Sequence, residues 1–489
     1  SLSNLIDRPA IQRTTIFTTL LMLGLGQAAI AAEHSIIAPE SKGTFRGRPT
    51  VAAVRVTKAP DIDGHLIDEA WSYAKPAGEF LQKEPKQNIP HSQRTEFRVL
   101  YNNDTLFVGV WCFDTEARNI IAHTMERDVT MRYEDMVHIT LDTFQDRRNG
   151  YRLTVNPNGA RGDATVSNNT SLNKAWDGAW RSRSQKHAWG WSTEVAIPFK
   201  SLSFNEKNDS WGINIYRNIG RFGERGQWAN SRRTSRSYHV SGCGDLTGLH
   251  GLRQGMGLDI TPYVTGKYSK NYDSSDSDLL GDFGVDIRYR LTPSLTALAS
   301  VNTDFAETEI DTRQVNFTRF PLFFPEKRQF FLEDSGIFGF GGGESSRRRS
   351  RDSSDALLMP FFSRRIGLSS KGHITPIHFA GKVTGRIKDY NIGLLNAVVE
   401  GNDHPRNAFV GRVSRNVFEQ SSFGFLTTVG DPNSDEMNSV TGIDFQYRNT
   451  DFMGGHTFEV NLYTLGSYSE DLGGLEPAWA TNAKLYDRN

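Results

Sequence analysis

The chain has few cysteines, no excess of charge of either sign and no long apolar run. Its 489 residues include two cysteines, Cys112 and Cys243, too few for a disulfide framework or a cysteine-ligated zinc site. In an oxidising compartment the two thiols are able to pair, and the sequence leaves pairing and free thiols equally open. The 56 basic and 56 acidic residues cancel, whereas a nucleic-acid-binding domain is expected to carry a basic excess. The composition therefore predicts no nucleic-acid partner.

Several signatures of catalysis are also missing. The chain has no G-x-S-x-G, no H-E-x-x-H and no Walker loop, and its 12 histidines do not cluster at ligand spacing. A glycosidase needs two carboxylates roughly 5–10 Å apart, and nothing singles out such a pair among the acidic residues. The sequence thus identifies no catalytic residue, and enzymatic activity stays an open question.

The N-terminus carries the pattern of an export signal. Basic residues precede an apolar run, Ile16 to Leu25, and Ala29-Ile30-Ala31 supplies the small-x-small cleavage pattern. The apolar run is about ten residues long, whereas a membrane-spanning helix needs about 20. The sequence predicts a signal peptide over 1–31 and a linker over 32–55.

Short alternating strands fill the front half of the chain. Thr95–Tyr101 alternates apolar and polar residues, Asn102-Asn103-Asp104 forms a turn and Leu106–Val110 returns, which predicts a hairpin. Asn156-Pro157-Asn158-Gly159 is a second strong turn signal. Six or more such strands in succession are typical of an antiparallel sandwich. The sequence therefore predicts a β-sandwich over 56–245.

Strand candidates after Gly244 become longer and regularly spaced. Alternate positions are apolar, as in the run from Phe283 to Tyr289, and the positions between them are polar, charged or small. Strands with one face on lipid and the other on a wet lumen alternate in this way, and so do the strands of a soluble sandwich. The charged residues of the second face favour the barrel: Asp286, Arg288, Arg290, Lys382, Arg386, Arg412, Asp444 and Arg448.

The predicted fold class is all-β, with an N-terminal antiparallel β-sandwich followed by an antiparallel transmembrane β-barrel over 255–489. The strand candidates are few for such a barrel, which predicts that it is incomplete in this chain. Gly341–Asp355, rich in glycine, serine and arginine, is predicted to be a mobile loop. Its arginines either lie in solvent or meet acidic lipopolysaccharide or a substrate.

The stretch from Ala299 to Glu333 interleaves aromatic and charged residues instead of separating them by face. Two prolines, Pro321 and Pro325, interrupt it and cannot continue a strand ladder. Its phenylalanines are Phe305, Phe317, Phe320, Phe323, Phe324, Phe330 and Phe331. The stretch resembles the signature of the DUF5916 family, outer-membrane β-barrels preceded by a periplasmic domain similar to carbohydrate-binding family 9. The alternative is an aromatic-rich core loop of a soluble protein.

The front domain opens with Asp61-Ile62-Asp63-Gly64, followed by Asp68-Glu69-Ala70-Trp71. The D-x-D-G spacing puts oxygen ligands around a tight glycine turn, as calcium prefers. Asp61 and Asp63 are therefore candidate calcium ligands. The alternative is a structural turn in which Trp71 anchors the core.

Eight segments in order across the front domain resemble carbohydrate-binding family 9. They are Ile62–Trp71, Thr95–Tyr101, Leu106–Val110, Glu134–Asp142, Val155–Gly159, Trp176–Trp180, Gly190–Phe199 and Trp211–Asn214. The resemblance implies a β-sandwich, often stabilised by calcium. It also implies a site that holds a sugar end between two aromatic rings, while arginine, glutamate and amide side chains bond the hydroxyls.

Carried over residue by residue, the resemblance implies a partial sugar clamp. Tyr133 and Tyr238 stand where the two rings are expected, and Arg152 matches the arginine of the following strand. Asp135 and Trp176 complete the implied carbohydrate-binding set. Because the clamp departs from the family pattern, a structural plug or docking module remains an alternative.

These features predict an exported protein of the cell outer membrane with its N-terminal domain in the periplasm. Its expected partners are a glycan or another polyhydroxylated ligand and outer-membrane lipid, and its expected role is glycan uptake or carbohydrate catabolism. One alternative is a transport or assembly pore, with the sandwich as plug or docking module. Another is a hydrolase of O-glycosyl bonds, implied only because such modules accompany glycosidases.

Overall fold

The structure is a computed structural model. It describes residues 44–45, 48–169, 171–174, 176–230, 232–233, 235–255, 257–270, 277–303, 326, 328–342, 359–368, 375–401, 404–418, 420–453, 456–470 and 474–486. The predicted signal peptide lies outside these residues, as do 304–325 of the aromatic stretch and the predicted loop beyond residue 342.

Extended strands make up most of the described chain. The strands of the front half are β1 (Thr44–Phe45), β2 (Arg48–Ala52), β3 (Val54–Arg55), β4 (Leu81–Glu84), β5 (Thr95–Tyr101), β6 (Thr105–Phe113), β7 (Met136–Asp142), β8 (Gly150–Val155), β9 (Arg161–Ser167), β10 (Ser171–Asn173), β11 (Arg181–His187), β12 (Gly190–Pro198), β13 (Ser210–Ile219), β14 (Glu224–Gln227) and β15 (Gly244–Thr247).

The back half continues with strands that are mostly longer. They are β16 (Leu258–Lys270), β17 (Ser277–Thr292), β18 (Leu295–Thr303), β19 (Ile377–Ile387), β20 (Tyr390–Val399), β21 (Arg406–Val417), β22 (Ser421–Val429), β23 (Asn438–Phe452), β24 (His456–Ser469) and β25 (Gly474–Tyr486). The described residues contain one short helix, α1 (Gln329–Leu332), and 3₁₀ turns at Glu69–Tyr73, Ala117–Asn119, Phe199–Ser201, Gly220–Phe222, Val240–Gly242, Ser335–Phe338 and Ser363–Arg365.

Two sheets form the predicted sandwich. Sheet A runs β1-β2-β15-β13-β7-β8-β9-β10, with β14 paired to β13 and β4 to β14, and sheet B runs β11-β12-β6-β5-β3. The predicted hairpin is confirmed, because β5 pairs antiparallel with β6. Alternate apolar residues of both sheets, among them Val108 and Ile139, share one core. Cys112 and Cys243 are buried and free, so the two thiols do not pair.

The predicted linker over 32–55 is wrong in its last part. β2 pairs parallel with β15 of sheet A, and β3 pairs parallel with β5 of sheet B. These two strands are short, and their partners lie far along the chain, so local alternation does not reveal them. The sandwich therefore begins before residue 56.

The back half forms one antiparallel sheet, sheet C, whose ten strands follow one another in chain order from β16 to β25. In the described residues β16 and β25 are not paired with each other. Strand β17 contains the alternating run from Phe283 to Tyr289 that the sequence predicts. Large apolar side chains of one face are exposed: Val264, Phe283, Tyr289, Phe379, Leu394, Val413, Phe423, Phe425, Ile443, Leu462, Leu475 and Trp479 are examples.

The opposite face of sheet C is polar and buried. Lys382, Arg412, Asp444 and Arg448 lie there with less than a tenth of their surface exposed. The part of the aromatic stretch that the structure describes, together with the residues after it, covers this face; we call residues 328–342 the inner segment. Phe330, Phe331 and Phe338 of the inner segment pack with apolar side chains of sheet C, and Phe340 packs against Leu426 and Leu465.

Polar contacts tie the inner segment to sheet C. Lys382 donates through Nζ to the carbonyls of Phe330 and Glu333. Thr384 donates through Oγ1 to Asp334 Oδ2 at 2.7 Å, and the Gly341 amide donates to Asp444 Oδ2 at 3.0 Å. The aromatic and charged residues of the inner segment therefore contact a face of sheet C that carries both apolar and charged side chains.

Within the described ranges, no helix is long and apolar enough to cross a membrane.

Candidate functional site

A row of side chains crosses the face of sheet A that points away from the sandwich core. Strand pairing places Asn214 of β13 beside Thr140 of β7, Thr140 beside Arg152 of β8, and Arg152 beside Ala164 of β9. Lys174 directly follows β10, whose last residue pairs with Thr165. Because paired residues share a face, five neighbouring strands deliver one polar line from Lys174 to Asn214. We call this line and its immediate neighbours the Arg152 face.

A second row lies next to the first. His138 pairs with Tyr216 on one side and with Thr154 on the other. The His138 and Tyr216 rings stack at 5.0 Å between centroids, and His138 Nδ1 is 2.8 Å from Thr154 Oγ1. Burial, with the nearby positive charges of Arg152 and Lys174, holds the pKa of His138 well below its ordinary value. The imidazole is therefore neutral at physiological pH.

Several polar atoms of the Arg152 face are buried without a hydrogen-bond partner in the described residues. They are Thr140 Oγ1, Arg152 Nε and Gln227 Nε2. Gln227 reaches the row because its Oε1 accepts from Asn214 Nδ2 at 2.8 Å. Thr140 is only 1% exposed. Since native proteins pair most buried polar groups, this cluster is the kind of surface that a polar ligand satisfies.

Arg152 and Tyr238, both predicted for the sugar site, are brought together. Burial lowers the pKa of Arg152, and the neighbouring Tyr238 and Tyr216 oppose that effect. Tyr238 is itself mostly buried, and its hydroxyl accepts a hydrogen bond from Arg236 NH1 at 2.7 Å. The Tyr238 hydroxyl is therefore held by Arg236, and the same tyrosine influences the charge of Arg152.

Tyr133 is the other predicted clamp residue. Its side chain is 75% exposed, and the Arg132 guanidinium lies 5.7 Å from its ring centroid. Because no partner fixes its ring beyond this contact in the described part of the chain, Tyr133 offers an accessible aromatic surface rather than a closed slot.

Asp135 is completely buried and serves the fold. Its Oδ2 accepts hydrogen bonds from the amides of Ile121 at 3.0 Å and Gly220 at 3.3 Å. Burial raises the pKa of its carboxyl group, while Arg217 opposes that rise. The carboxylate thus anchors two loops and is not brought to the Arg152 face.

Trp176 also has a structural position. Its ring packs against Tyr151 at 4.9 Å between centroids, at the margin of the sandwich core. The following turn is held by buried Asp163, whose Oδ2 accepts from the Gly178 amide at 2.9 Å and from Trp180 Nε1 at 2.8 Å. The Trp176–Trp180 segment is therefore organised by a buried carboxylate.

The candidate calcium ligands surround a turn that is organised by Glu194 of β12. Glu194 Oε2 accepts from the amides of Asp63 at 2.9 Å and Gly64 at 2.7 Å, and Oε1 accepts from Trp71 Nε1 at 2.9 Å. Asp63 Oδ1 accepts from the His65 amide, and the Asp61 amide donates to Asp68. Among the described residues no group of three or more His, Cys, Asp or Glu side chains stands at metal-binding spacing. These contacts fit the structural turn anchored by Trp71.

A second polar region lies where the sandwich meets sheet C. A cavity of about 140 Å³ is lined by hydroxyl and amide side chains and by Arg148, Arg386, Arg412 and Asp444. Arg412 and Asp444 form a bidentate ion pair at 2.5 and 2.9 Å, and Arg386 pairs with Asp146 of the sandwich. The charges of this cavity are therefore largely matched within the protein.

Sequence reasoning missed Thr140, Asn214, Gln227 and Lys174. The alternation of β7 separates its apolar residues from His138 and Thr140, and the sequence alone shows this pattern. The pairing that aligns these residues with Arg152 joins strands far apart along the chain, and no local pattern contains it.

Comparison with known families matches both halves of the chain. Residues 62–239 match the family described as carbohydrate family 9 binding domain-like, and residues 255–420 match a domain of unknown function, DUF5916. No curated protein matches the chain.

Solved structures similar to this chain include a carbohydrate binding module family 9 from Caldicellulosiruptor kristjanssonii. In complex with glucose it shows 16% identity and a TM-score of 0.31, and 40% of this chain and 94% of that chain are covered. In complex with cellotriose it shows 16% identity and a TM-score of 0.30, and 40% of this chain and 92% of that chain are covered. A putative carbohydrate-binding protein from Bacteroides uniformis shows 10% identity and a TM-score of 0.34, covering 41% of this chain and 99% of that chain.

At these TM-scores the structural likenesses carry no argument about a ligand. The family matches agree with the resemblances in both halves and with the sandwich that sheets A and B form. The chain thus contains a carbohydrate family 9 binding domain-like domain followed by a DUF5916 domain.

Proposed function

We propose that the sandwich binds carbohydrate at the Arg152 face. The single observation that carries the proposal is a group of buried polar atoms on Thr140, Arg152 and Gln227 that have no hydrogen-bond partner among the described residues. Planar guanidinium and amide donors suit the hydroxyls of a pyranose, and a tyrosine ring beside them suits its apolar side. The match to the carbohydrate family 9 binding domain-like model supports the same conclusion.

The test is a calorimetric titration of the full chain in detergent with D-glucose. Arg152→Met keeps the length of the side chain and removes its donors, so we expect glucose affinity to fall about tenfold, equivalent to about 1.4 kcal/mol. The matched control is Arg183→Met, an exposed arginine on β11 of sheet B, which should bind as the native chain does. Absence of glucose binding by the native chain at millimolar concentration would contradict the proposal.

We propose further that sheet C is the wall of an outer-membrane β-barrel, with its apolar face on lipid. The support is physical: a long row of exposed apolar side chains lies on one face, and buried charged residues lie on the other. Water does not favour so large an exposed apolar surface, whereas strands in a bilayer alternate in this manner. In this arrangement the sandwich lies in the periplasm.

A second function, a transport or assembly pore with the sandwich docked as a plug, is favoured by the contacts of Arg148. This sandwich residue reaches the polar face of sheet C, where NH1 donates to the Ser421 carbonyl at 2.8 Å and NH2 to Ser422 Oγ at 3.1 Å. A docked plug requires contacts of this kind between the two parts. Conductance of the full chain in planar bilayers, compared with that of Arg148→Met, tests whether these contacts limit passage.

A further inference from the structure

Positive charge is concentrated on the Arg152 face. Arg152 and Lys174 lie on the same row, separated in the sheet by Ala164 of β9. The small Ala164 side chain stands between them in the row, so no bulky side chain separates the two cationic ones. Arg236 adds a third cation next to Tyr238. Burial and the Arg152 charge lower the pKa of Lys174.

No carboxylate compensates Arg152 in the described part of the chain. Arg152 takes part in no ion pair there, and its Nε has no hydrogen-bond partner. Among the described residues, Lys174 donates to the neutral hydroxyl of Thr130, at 3.5 Å, and to no other group. Asp128, the acidic residue that acts on the Lys174 charge, is already engaged by Arg127, with Nε and Oδ2 3.4 Å apart.

Three other arginines of the sandwich form ion pairs, and the buried Arg217 donates to backbone carbonyls instead. Arg147 binds Asp245, Arg221 binds Asp114 and Arg127 binds Asp163. A half-buried cation costs free energy unless an opposite charge accompanies it. In the described residues Arg152 has no ion-pair partner and lies near further cations, so an anionic ligand would offset part of this cost.

We propose that the Arg152 face takes an acidic carbohydrate, one whose carboxylate lies between Arg152 and Lys174. This inference rests on the proposed function and names its ligand class. A uronic acid supplies both parts of the chemistry: its carboxylate accepts charged hydrogen bonds from the guanidinium, and its hydroxyls meet Thr140 Oγ1 and Gln227 Nε2.

The experiment compares D-glucuronate with D-glucose on the full chain in detergent, by calorimetry at low and high salt. We expect glucuronate to bind about tenfold more tightly at low salt, equivalent to about 1.4 kcal/mol. The advantage should shrink as salt screens the charges. Equal affinity for the two sugars overturns the acidic-ligand inference while leaving carbohydrate binding intact. If neither sugar binds, both the acidic-ligand inference and the proposed carbohydrate binding are overturned.

A charge-removing variant locates the effect. Lys174→Gln should abolish most of the tenfold preference for glucuronate over glucose, a loss of about 1.4 kcal/mol in the difference between the two binding free energies. Lys186→Gln, at an exposed lysine on β11 of sheet B, is the matched control and should keep the preference. A glucuronate preference that survives Lys174→Gln unchanged contradicts the placement of the carboxylate beside Lys174.

Discussion

Buried carboxylates in the sandwich mostly hold backbone amides in place. Glu194 accepts from Asp63 and Gly64, and Asp135 accepts from Ile121 and Gly220. Each carboxylate thereby holds in place a loop or turn whose bonded amides lie outside the β-strands. These acidic residues therefore have structural positions, whereas the candidate site contains Arg152, whose Nε is buried without a partner among the described residues.

Stability should depend on pH through His138. Burial lowers its folded pKa, while an unfolded histidine titrates near about 6.5. Below that pH the unfolded chain binds a proton that the folded chain does not, so the free energy of unfolding falls as pH falls, by about 1.4 kcal/mol per pH unit. Denaturant unfolding followed by tryptophan fluorescence from pH 7 to pH 5 measures this slope.

His138→Gln should flatten the slope, and His65→Gln, at an exposed position on a loop, should keep it. Part of the slope remains in His138→Gln, because burial lowers the pKa of His91 to about 3. An unchanged slope in His138→Gln would show that the imidazole titrates alike in both states.

The connection between β7 and β8 is one of the elements that join the two parts of the chain. Its Arg148 is almost fully buried and donates to Asn416 Oδ1 at 3.1 Å and Ser421 O at 2.8 Å. From the other side, Arg448 of β23 donates to the Asn168 carbonyl at 3.0 Å. Contacts thus run in both directions across the junction.

Removing the Arg148 guanidinium should loosen this junction. In Arg148→Met the carbonyl and amide acceptors lose a charged donor, and hydrogen bonds of that type contribute about 1.5–3 kcal/mol each. We expect faster amide hydrogen exchange in the connection between β21 and β22 and in the strand ends beside it. Arg118→Met, at an exposed arginine, is the control. Equal exchange in the two variants would mean that Arg148 does not hold the junction.

At the scale of the whole molecule, the two faces of sheet C predict where lipid lies. Phe425 is 43% exposed on the apolar face, and an arginine on a lipid-facing strand costs about 2–4 kcal/mol near the bilayer midplane. Phe425→Arg should therefore lower the fraction of chain that folds into phosphatidylcholine vesicles, measured by flotation. Phe222→Arg, an exposed phenylalanine of the sandwich, should insert normally. Equal flotation of both variants would argue against lipid on this face.

The sequence predicts the position of most of the strands. The alternation of Thr95–Tyr101 and of the run from Phe283 to Tyr289 predicted β5 and β17, and the turn at Asn102-Asn103-Asp104 predicted the hairpin. The short parallel strands β2 and β3 were missed, because their partners β15 and β5 are remote in sequence. The aromatic stretch was recognised as a signature, but its packing on the polar face of sheet C was not predicted.

Alternation along one strand depends only on neighbouring residues, so the amino-acid order by itself determined the all-β class, the turns and which residues share a face of a strand. The row from Lys174 through Arg152 to Asn214 depends on the pairing of five strands. The contacts of Arg148 depend on how the sandwich meets sheet C. Only the tertiary structure decided these, because register and docking are set by contacts between segments that are distant along the chain.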